Sequence, residues 1–270
     1  MAGRTWTRAD VAAVLSGPTA SDDKYSRGVV GVRTGSDRFP GAAVLGVEAA
    51  WRTGVGMVRY LGPDRAADLV LARRPETVTA DGRVQAWLIG SGTSADARND
   101  AETRALREVL AGQVPVVVDA GALDLVADAG APVIATPHAR EHARLRESLG
   151  LDPDAANAEC ETAAALRGIL VRKGSRTVVA APDHDPIELD APTSWLATAG
   201  TGDVLAGILG GLAAGAGASD LDTLQRVAAS AVWLHGRAAE HAVAAHDGGP
   251  IVALDVAAHV PFAVAEALGS

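Results

Sequence analysis

Five short apolar runs punctuate the first half of the chain, each closing on glycine or a polar residue: GVVGVRTG (28–35), VGMVRYLGP (55–63), QAWLIGSG (85–92), VPVVVDAG (114–121) and APVIATPH (131–138). Runs apolar at consecutive positions suit strands buried on both faces, which is the situation of parallel strands. Between them the apolar spacing lengthens to the helical period over 41–53, 95–111 and 139–149. This alternation predicts an α/β fold: a central, mostly parallel sheet with helices on both faces. A further helix is expected near 154–167, after which GILVRKGSRTVVAAPDHDPIEL reads as two strands joined at KGSR. From Gly202 onward the pattern turns mostly helical, over 203–214, 220–245 and 255–267. No linker, low-complexity tract or internal repeat interrupts the rhythm, so residues 1–270 read as a single domain.

Composition narrows this picture. Hydrophobic residues make up 48% of the chain but aromatics only 3%, so the core must be filled by aliphatic side chains between closely approaching elements. A formal net charge of -9 argues against a nucleic-acid partner, which needs a clustered positive surface. The lone Cys160 permits neither an internal disulfide nor a cysteine-rich zinc site and fits a reducing cytoplasm. Arg4, Arg8 and Asp10 interrupt the N-terminal apolar residues, so no secretory segment forms and the stretch reads as a helix start. The longest uncharged stretch, 204–219, falls short of the roughly 20 residues a membrane span needs. The expected location is cytoplasmic, with no membrane partner.

Candidate chemistry gathers at the carboxyl ends of the strands, where ligands bind in open parallel sheets. Gly90, Gly92, Asp119, Thr136 and His138 all fall there. GSGTSA satisfies the permissive dinucleotide fingerprint, with Gly90, Gly92 and Ala95 after a strand and Asp119 downstream. It is a serious rival, although two strand-like runs precede it. TAGTGD is more demanding. Gly200 and Gly202 flank Thr201, leaving backbone N–H groups unobstructed at the mouth of a long apolar helix, where an anion is favoured. Asp203 then lies in the first turn, beside any bound phosphate, where it can accept a proton from an attacking hydroxyl. Alternatively, Asp203 or Thr201 simply caps the helix. On the residues alone both readings stay open.

ATAGTGDVLAGIL resembles the anion-hole and catalytic-aspartate segment of the ribokinase-like superfamily. GVVGVRTGSDRFPGAAVLGVEAAWRTGVGMVRYLGP, LIGSG, VVVDAGAL, IATPHAREHARL, LVRKGSRTVVAAP, TAGTGDVLAG and VWLHGRAAE, in that order, narrow the likeness. Together they are similar to the ADP-dependent NAD(P)H-hydrate dehydratase family, from about Lys24 to the C-terminus. The resemblance implies a ribokinase-like three-layer α/β/α fold and a lyase that returns the S epimer of NADHX or NADPHX to NADH or NADPH, consuming ADP, with ATP as the other candidate donor, and requiring Mg2+. Implied hydrate-binding residues are Ala42, Ala43, Gly92, His138 and Asp203; implied nucleotide-binding residues are Lys173, Gly174, Ser175, Arg176, Thr177 and Gly202. Gly200, Thr201 and Gly202 form the implied anion hole, and Asp203 is the implied base. Metal ligands are not identified. A homo-oligomer is implied, a tetramer among the options. The family's N-terminal epimerase domain has no counterpart here, so a separate NAD(P)H-hydrate epimerase is the expected functional partner. Three departures stand out: TPHARE for TPHPGE, DAGAL for DADAL, and TSWL in place of a glycine-rich approach to TAGTGD. The alternatives are a small-molecule kinase of the same superfamily, acting on a hydroxymethylpyrimidine, thiazole or sugar, and a nucleotide-binding protein with weakened catalysis.

Overall fold

The computed structural model describes residues 4–217 and 219–269. The chain opens with β1 (Arg4–Thr5) and α1 (Arg8–Ala12), then runs through β2 (Val29–Arg33), α2 (Gly41–Arg52), β3 (Met57–Tyr60), α3 (Asp64–Arg73), β4 (Ala86–Ile89) and α4 (Asp100–Leu110). It continues with β5 (Val116–Val118), a 3-10 segment (Ala120–Asp128), β6 (Val133–Ala135), α5 (Ala139–Ser148) and α6 (Ala158–Leu166). Then come β7 (Ile169–Arg172), β8 (Arg176–Ala180), β9 (Ile187–Asp190), a 3-10 turn (Ser194–Leu196), α7 (Thr201–Ala216), α8 (Leu221–Ala245) and α9 (Ala253–Leu268). One nine-stranded sheet has the order β1-β9-β8-β7-β6-β5-β4-β2-β3. Its strands from β3 across to β7 pair in parallel, whereas β7, β8 and β9 pair antiparallel.

The doubly apolar strands explain the layering. Leu88, Val117, Ile134, Ile169 and Val171 point to one face, into a core shared with α2, α7, α8 and α9. Their neighbours Ile89, Val116, Val118, Val133 and Leu170 point to the other, against α4, α5, α6 and the 3-10 segment. Period-2 alternation thus feeds two cores from one sheet. The scarcity of aromatics is met by backbone proximity. A Cβ placed on Gly207 of α7 would collide with the Gly46 carbonyl of α2 and lie 2.7 Å from Ala49 Cβ. Among the described residues, no helix is long and apolar enough to cross a membrane.

Three expectations shift. The hairpin at KGSR is there, but IELD forms a third strand, β9, against which β1 adds in parallel. The N-terminus therefore begins as an edge strand before its helix. α4 starts at Asp100 rather than 95, because the Asn99 side chain accepts from Glu102 N and caps it there. α3 was hidden in the sequence because only Ala66 and Val70 of its ten residues are buried.

On α2, Glu48 is fully buried and binds the guanidinium groups of Arg52, Arg73 and Arg74. Burial would raise its pKa, but Arg74 and Arg52 hold the carboxyl below its usual range. Its stabilising contribution is complete above the unfolded pKa and disappears as pH falls through the lower folded one. Glu48→Gln should cost about 2 kcal/mol near neutral pH, since the arginines keep partial contact with water. Urea unfolding at pH 7 and at pH 3 checks this: the deficit should shrink at the lower pH.

Candidate active site

The carboxyl ends of the parallel strands converge on the N-terminus of α7. Gly200 precedes that helix with φ of +91°, a left-handed conformation that suits glycine, and a Cβ there would lie 2.6 Å from Leu45 Cδ1. Neither proposed cap operates. No side chain caps α7, and Thr201 Oγ1 instead donates to the Leu196 and Thr198 carbonyls. Thr201 N–H already donates to Thr198 O at 3.3 Å, and Val204 N–H donates to Gly200 O. The N–H groups of Gly202 and Asp203, ahead of the first intrahelical bonds, remain to meet an anion.

Asp203 is half-buried and stands near a second carboxylate, Asp119. Burial, and then the charge of Asp119, push its pKa up to about 6, with Lys173 opposing. A carboxylate so tuned is ionised at neutral pH yet basic enough to take a proton. Asp119 follows β5 and is buried. Ser91 Oγ donates to its Oδ2 at 2.8 Å, while Thr136 Oγ1 and Lys173 Nζ each donate to its Oδ1 at 2.7 Å. Burial alone would raise the Asp119 pKa, but the Lys173 charge and these hydrogen bonds hold it below the usual carboxylate range.

Beside this centre lies a cavity of about 590 Å3. Lys173, Gly174, Ser175 and Thr177 line it, as do Thr201, Gly202 and His138. Leu189, Leu196, Leu205, Val232 and Trp233 supply an apolar wall, the kind of concave surface that takes a flat heterocycle. The departing TSWL sequence is thus part of that wall: it folds as the 3-10 turn with Thr193 Oγ1 accepting from Trp195 N, and Leu196 faces the cavity. Arg176 does not join in. Its guanidinium is exposed and pairs with Asp190 and Glu188.

Of the implied hydrate residues, His138 lines this same cavity, while Ala42, Ala43 and Gly92 gather at the start of α2 and the GSG turn. A Cβ on Gly92 would be 2.6 Å from the Ala42 Cβ, so the GSG turn and the start of α2 are in contact. Ala43 is buried beneath them. His138 caps α5, its Nδ1 accepting from Arg140 N and Glu141 N while Glu141 receives the His138 N–H. Nδ1 as acceptor leaves the ring proton of the neutral imidazole on Nε2. The rival dinucleotide fingerprint fails structurally, because residues 93–98 form turns and no helix opens at Ala95.

Sequence reading missed Ser91 and His235. Ser91 sits between two glycines already noted, at a strand end. His235 lies within an apolar stretch of α8, lines the cavity, and its Nε2 has no hydrogen-bond partner. Burial brings its pKa down to about 4, so it is neutral at physiological pH. No group of three or more His, Cys, Asp or Glu residues suited to a metal ion occurs among the described residues.

Comparison with known proteins agrees with this geometry. The sequence profile of the NAD(P)H-hydrate dehydratase family matches residues 30–259. The bifunctional NAD(P)H-hydrate repair enzyme Nnr of Mycobacterium leprae is 44% identical over 256 residues, covering 90% of this chain and 51% of that protein. The chain therefore spans about half the length of such bifunctional relatives. The ADP-dependent (S)-NAD(P)H-hydrate dehydratase of Bacillus subtilis is 31% identical over 251 residues, covering 87% of this chain and 88% of that one. A crystal structure of the Bacillus subtilis ADP/ATP-dependent NAD(P)H-hydrate dehydratase, co-crystallised with ATP/Mg2+, superposes with a TM-score of 0.84 at 29% identity, covering 99% of both chains. With its three-layer architecture and its motifs in order, the chain belongs to the NAD(P)H-hydrate dehydratase family.

Proposed function

We propose that this chain repairs hydrated nicotinamide cofactors by ADP-dependent dehydration of the S epimer of NADHX or NADPHX. The observation that carries the reading is Asp203, a half-buried carboxylate of raised pKa in the same helical turn as the unpartnered N–H groups of Gly202 and Asp203. Proton acceptor and anion site are thus one unit.

Hydroxide is a poor leaving group and phosphate a good one, so transfer of a phosphoryl group to the hydrate prepares the elimination. Asp203 takes the proton of the hydrate hydroxyl as its oxygen bonds to the β-phosphorus of ADP. The bond to the bridging oxygen breaks and AMP leaves with that electron pair. The ring nitrogen's lone pair then expels phosphate, and loss of a proton from the neighbouring ring carbon restores the dihydropyridine. The Gly202 and Asp203 N–H groups face the charge that develops in the transfer, where each such donor is typically worth a few kcal/mol. The adenine nucleotide fits the cavity walled by Leu196 and Trp233, its phosphates directed at Lys173 and Gly202. Since Asp119 is occupied by Lys173, Mg2+ would be held chiefly by the nucleotide's own phosphate oxygens. It would supply charge neutralisation there. The S epimer would be supplied by an NAD(P)H-hydrate epimerase activity.

Incubating the protein with S-NADHX, ADP and Mg2+ should restore absorbance in the NADH band. Absence of recovery with both ADP and ATP would sink the reading, and a stable phosphorylated product in its place would identify a small-molecule kinase.

A further inference from the structure

The chain contains 24 lysines and arginines, of which only Lys24 and Lys173 are lysine. Every other cation is arginine, so the lysine at position 173 is not explained by the chain's ordinary choice of base. Its surroundings supply a reason. A guanidinium presents a wide planar fork, whereas an ammonium is a compact point charge with three donors that can face different acceptors. The Lys173 Nζ reaches Asp119 Oδ1 at 2.7 Å and would lie 3.5 Å from a Cβ placed on Gly202. The ammonium therefore stands at the anion-binding turn itself. Its backbone is fixed as well: Lys173 N–H donates to Pro137 O at 2.9 Å, tying β7 to the loop that carries His138.

Asp119 is equally constrained. Its two oxygens accept from Ser91, Thr136 and Lys173, from three different strand ends, in a buried setting without room to turn. It is too enclosed to meet a substrate. We propose that Asp119 is a positioning residue: its clamped carboxylate holds the Lys173 ammonium at the Gly202 turn, where the ammonium neutralises the phosphoryl group passing between nucleotide and hydrate. This rests on the phosphoryl-transfer reading given above. The ammonium is faced by Asp119 after β5, by Glu141 from α5 and by Asp203 from α7, with the buried, neutral His235 on α8 nearby. Burial by itself pulls the ammonium's pKa down, and Asp119 is the largest influence opposing that. Lys173 in turn moderates the rise in the Asp203 pKa.

Asp119→Asn tests the assignment through a readout that bulk stability does not move. With only two lysines in the chain, selective 13C labelling gives two side-chain ε-carbon signals, one of them the exposed Lys24. In the variant the Lys173 signal should titrate at distinctly lower pH while Lys24 stays put, and both limbs of the pH–rate profile should move down. Turnover should fall roughly 100- to 1000-fold, as when one oriented transition-state donor is lost, and by more than ADP affinity measured by calorimetry. Lys173→Met should cost at least as much, and adding Asp119→Asn to it should cost less than about twofold more, because a positioning residue has nothing left to position. Lys173→Arg should not restore turnover. Should Asp119→Asn fail to fold, Thr136→Val, which removes one clamp and keeps the shape, should move the Lys173 titration in the same direction. An unchanged Lys173 titration, or penalties that multiply in the double variant, overturns the proposal. A wild-type protein that leaves the hydrate untouched overturns the functional reading instead, while the lysine titration still reports on Asp119.

Discussion

Asp203→Asn is expected to lower hydrate turnover about a thousandfold while raising the stability of the fold at neutral pH. The two effects have one origin. Loss of a positioned general base costs roughly 10²- to 10⁴-fold, and the amide keeps the shape and both backbone donors of the turn, so ADP should still bind. For stability the sign follows from the pKa, which burial and Asp119 push up to about 6 in the folded chain from an ordinary value of 3.8. The folded state holds its proton more tightly than the unfolded state, so ionised Asp203 opposes folding above pH 6 and ceases to matter as pH falls toward 4. Replacing it should stabilise the protein at pH 7 by about 1 to 2 kcal/mol, after allowance for partial solvent screening. A helix cap would behave in the opposite way, with wild-type turnover and no gain in stability. In the wild type, kcat/KM should lose its base on acidification, reaching half its plateau near the pKa of about 6. A flat profile between pH 5 and pH 7 would remove Asp203 from the role. Calorimetric melting of both proteins at pH 7 and pH 4.5, alongside the rate profile, separates the outcomes.

Gly207→Val should unfold the protein more readily than any single surface change, by about 3 kcal/mol or more. A side chain at 207 meets the Gly46 carbonyl and Ala49 on α2, and backbone cannot rotate aside as a flexible side chain can. The same helix contains its own control. A Cβ on Gly215 has nothing nearer than the Arg27 carbonyl at 3.9 Å, so Gly215→Ala should gain roughly 0.5 kcal/mol from helix propensity. Urea denaturation of the pair distinguishes a contact constraint from a general aversion of α7 to side chains: loss in both variants would favour the latter.

The layered fold was legible because buried parallel strands announce themselves as short apolar runs, and five such runs became β2 to β6. β9 was not, because IELD alternates weakly and is fixed by pairing with β8 and β1 rather than by its own pattern. In the site, Asp203 was recognisable from its glycine setting, while the choice of free N–H groups depended on the Thr198–Thr201 turn, which no local motif specifies. Asp119 stood at a strand end like several others. Its importance resides in Ser91, Thr136 and Lys173, which lie 28, 17 and 54 positions away along the chain and meet it only across the sheet.

The contact of α2 with α7 also bears on how such a chain can diverge. Ala42 near the start of α2 and Gly202 and Asp203 at the start of α7 belong to opposite sides of the reaction centre, and Gly207 against Gly46 locks the two helices at a fixed spacing a turn or so below. Mutation can therefore reshape the walls piecemeal, as the TSWL turn illustrates, and each step remains foldable. The helix pair offers no such gradual route: an enlarged residue on one side has to be met by a shift of the whole opposite backbone. Substitution can thus redraw what the cavity accepts, while the start of α2 and the glycine turn before α7 stay at the spacing set by the Gly46–Gly207 contact.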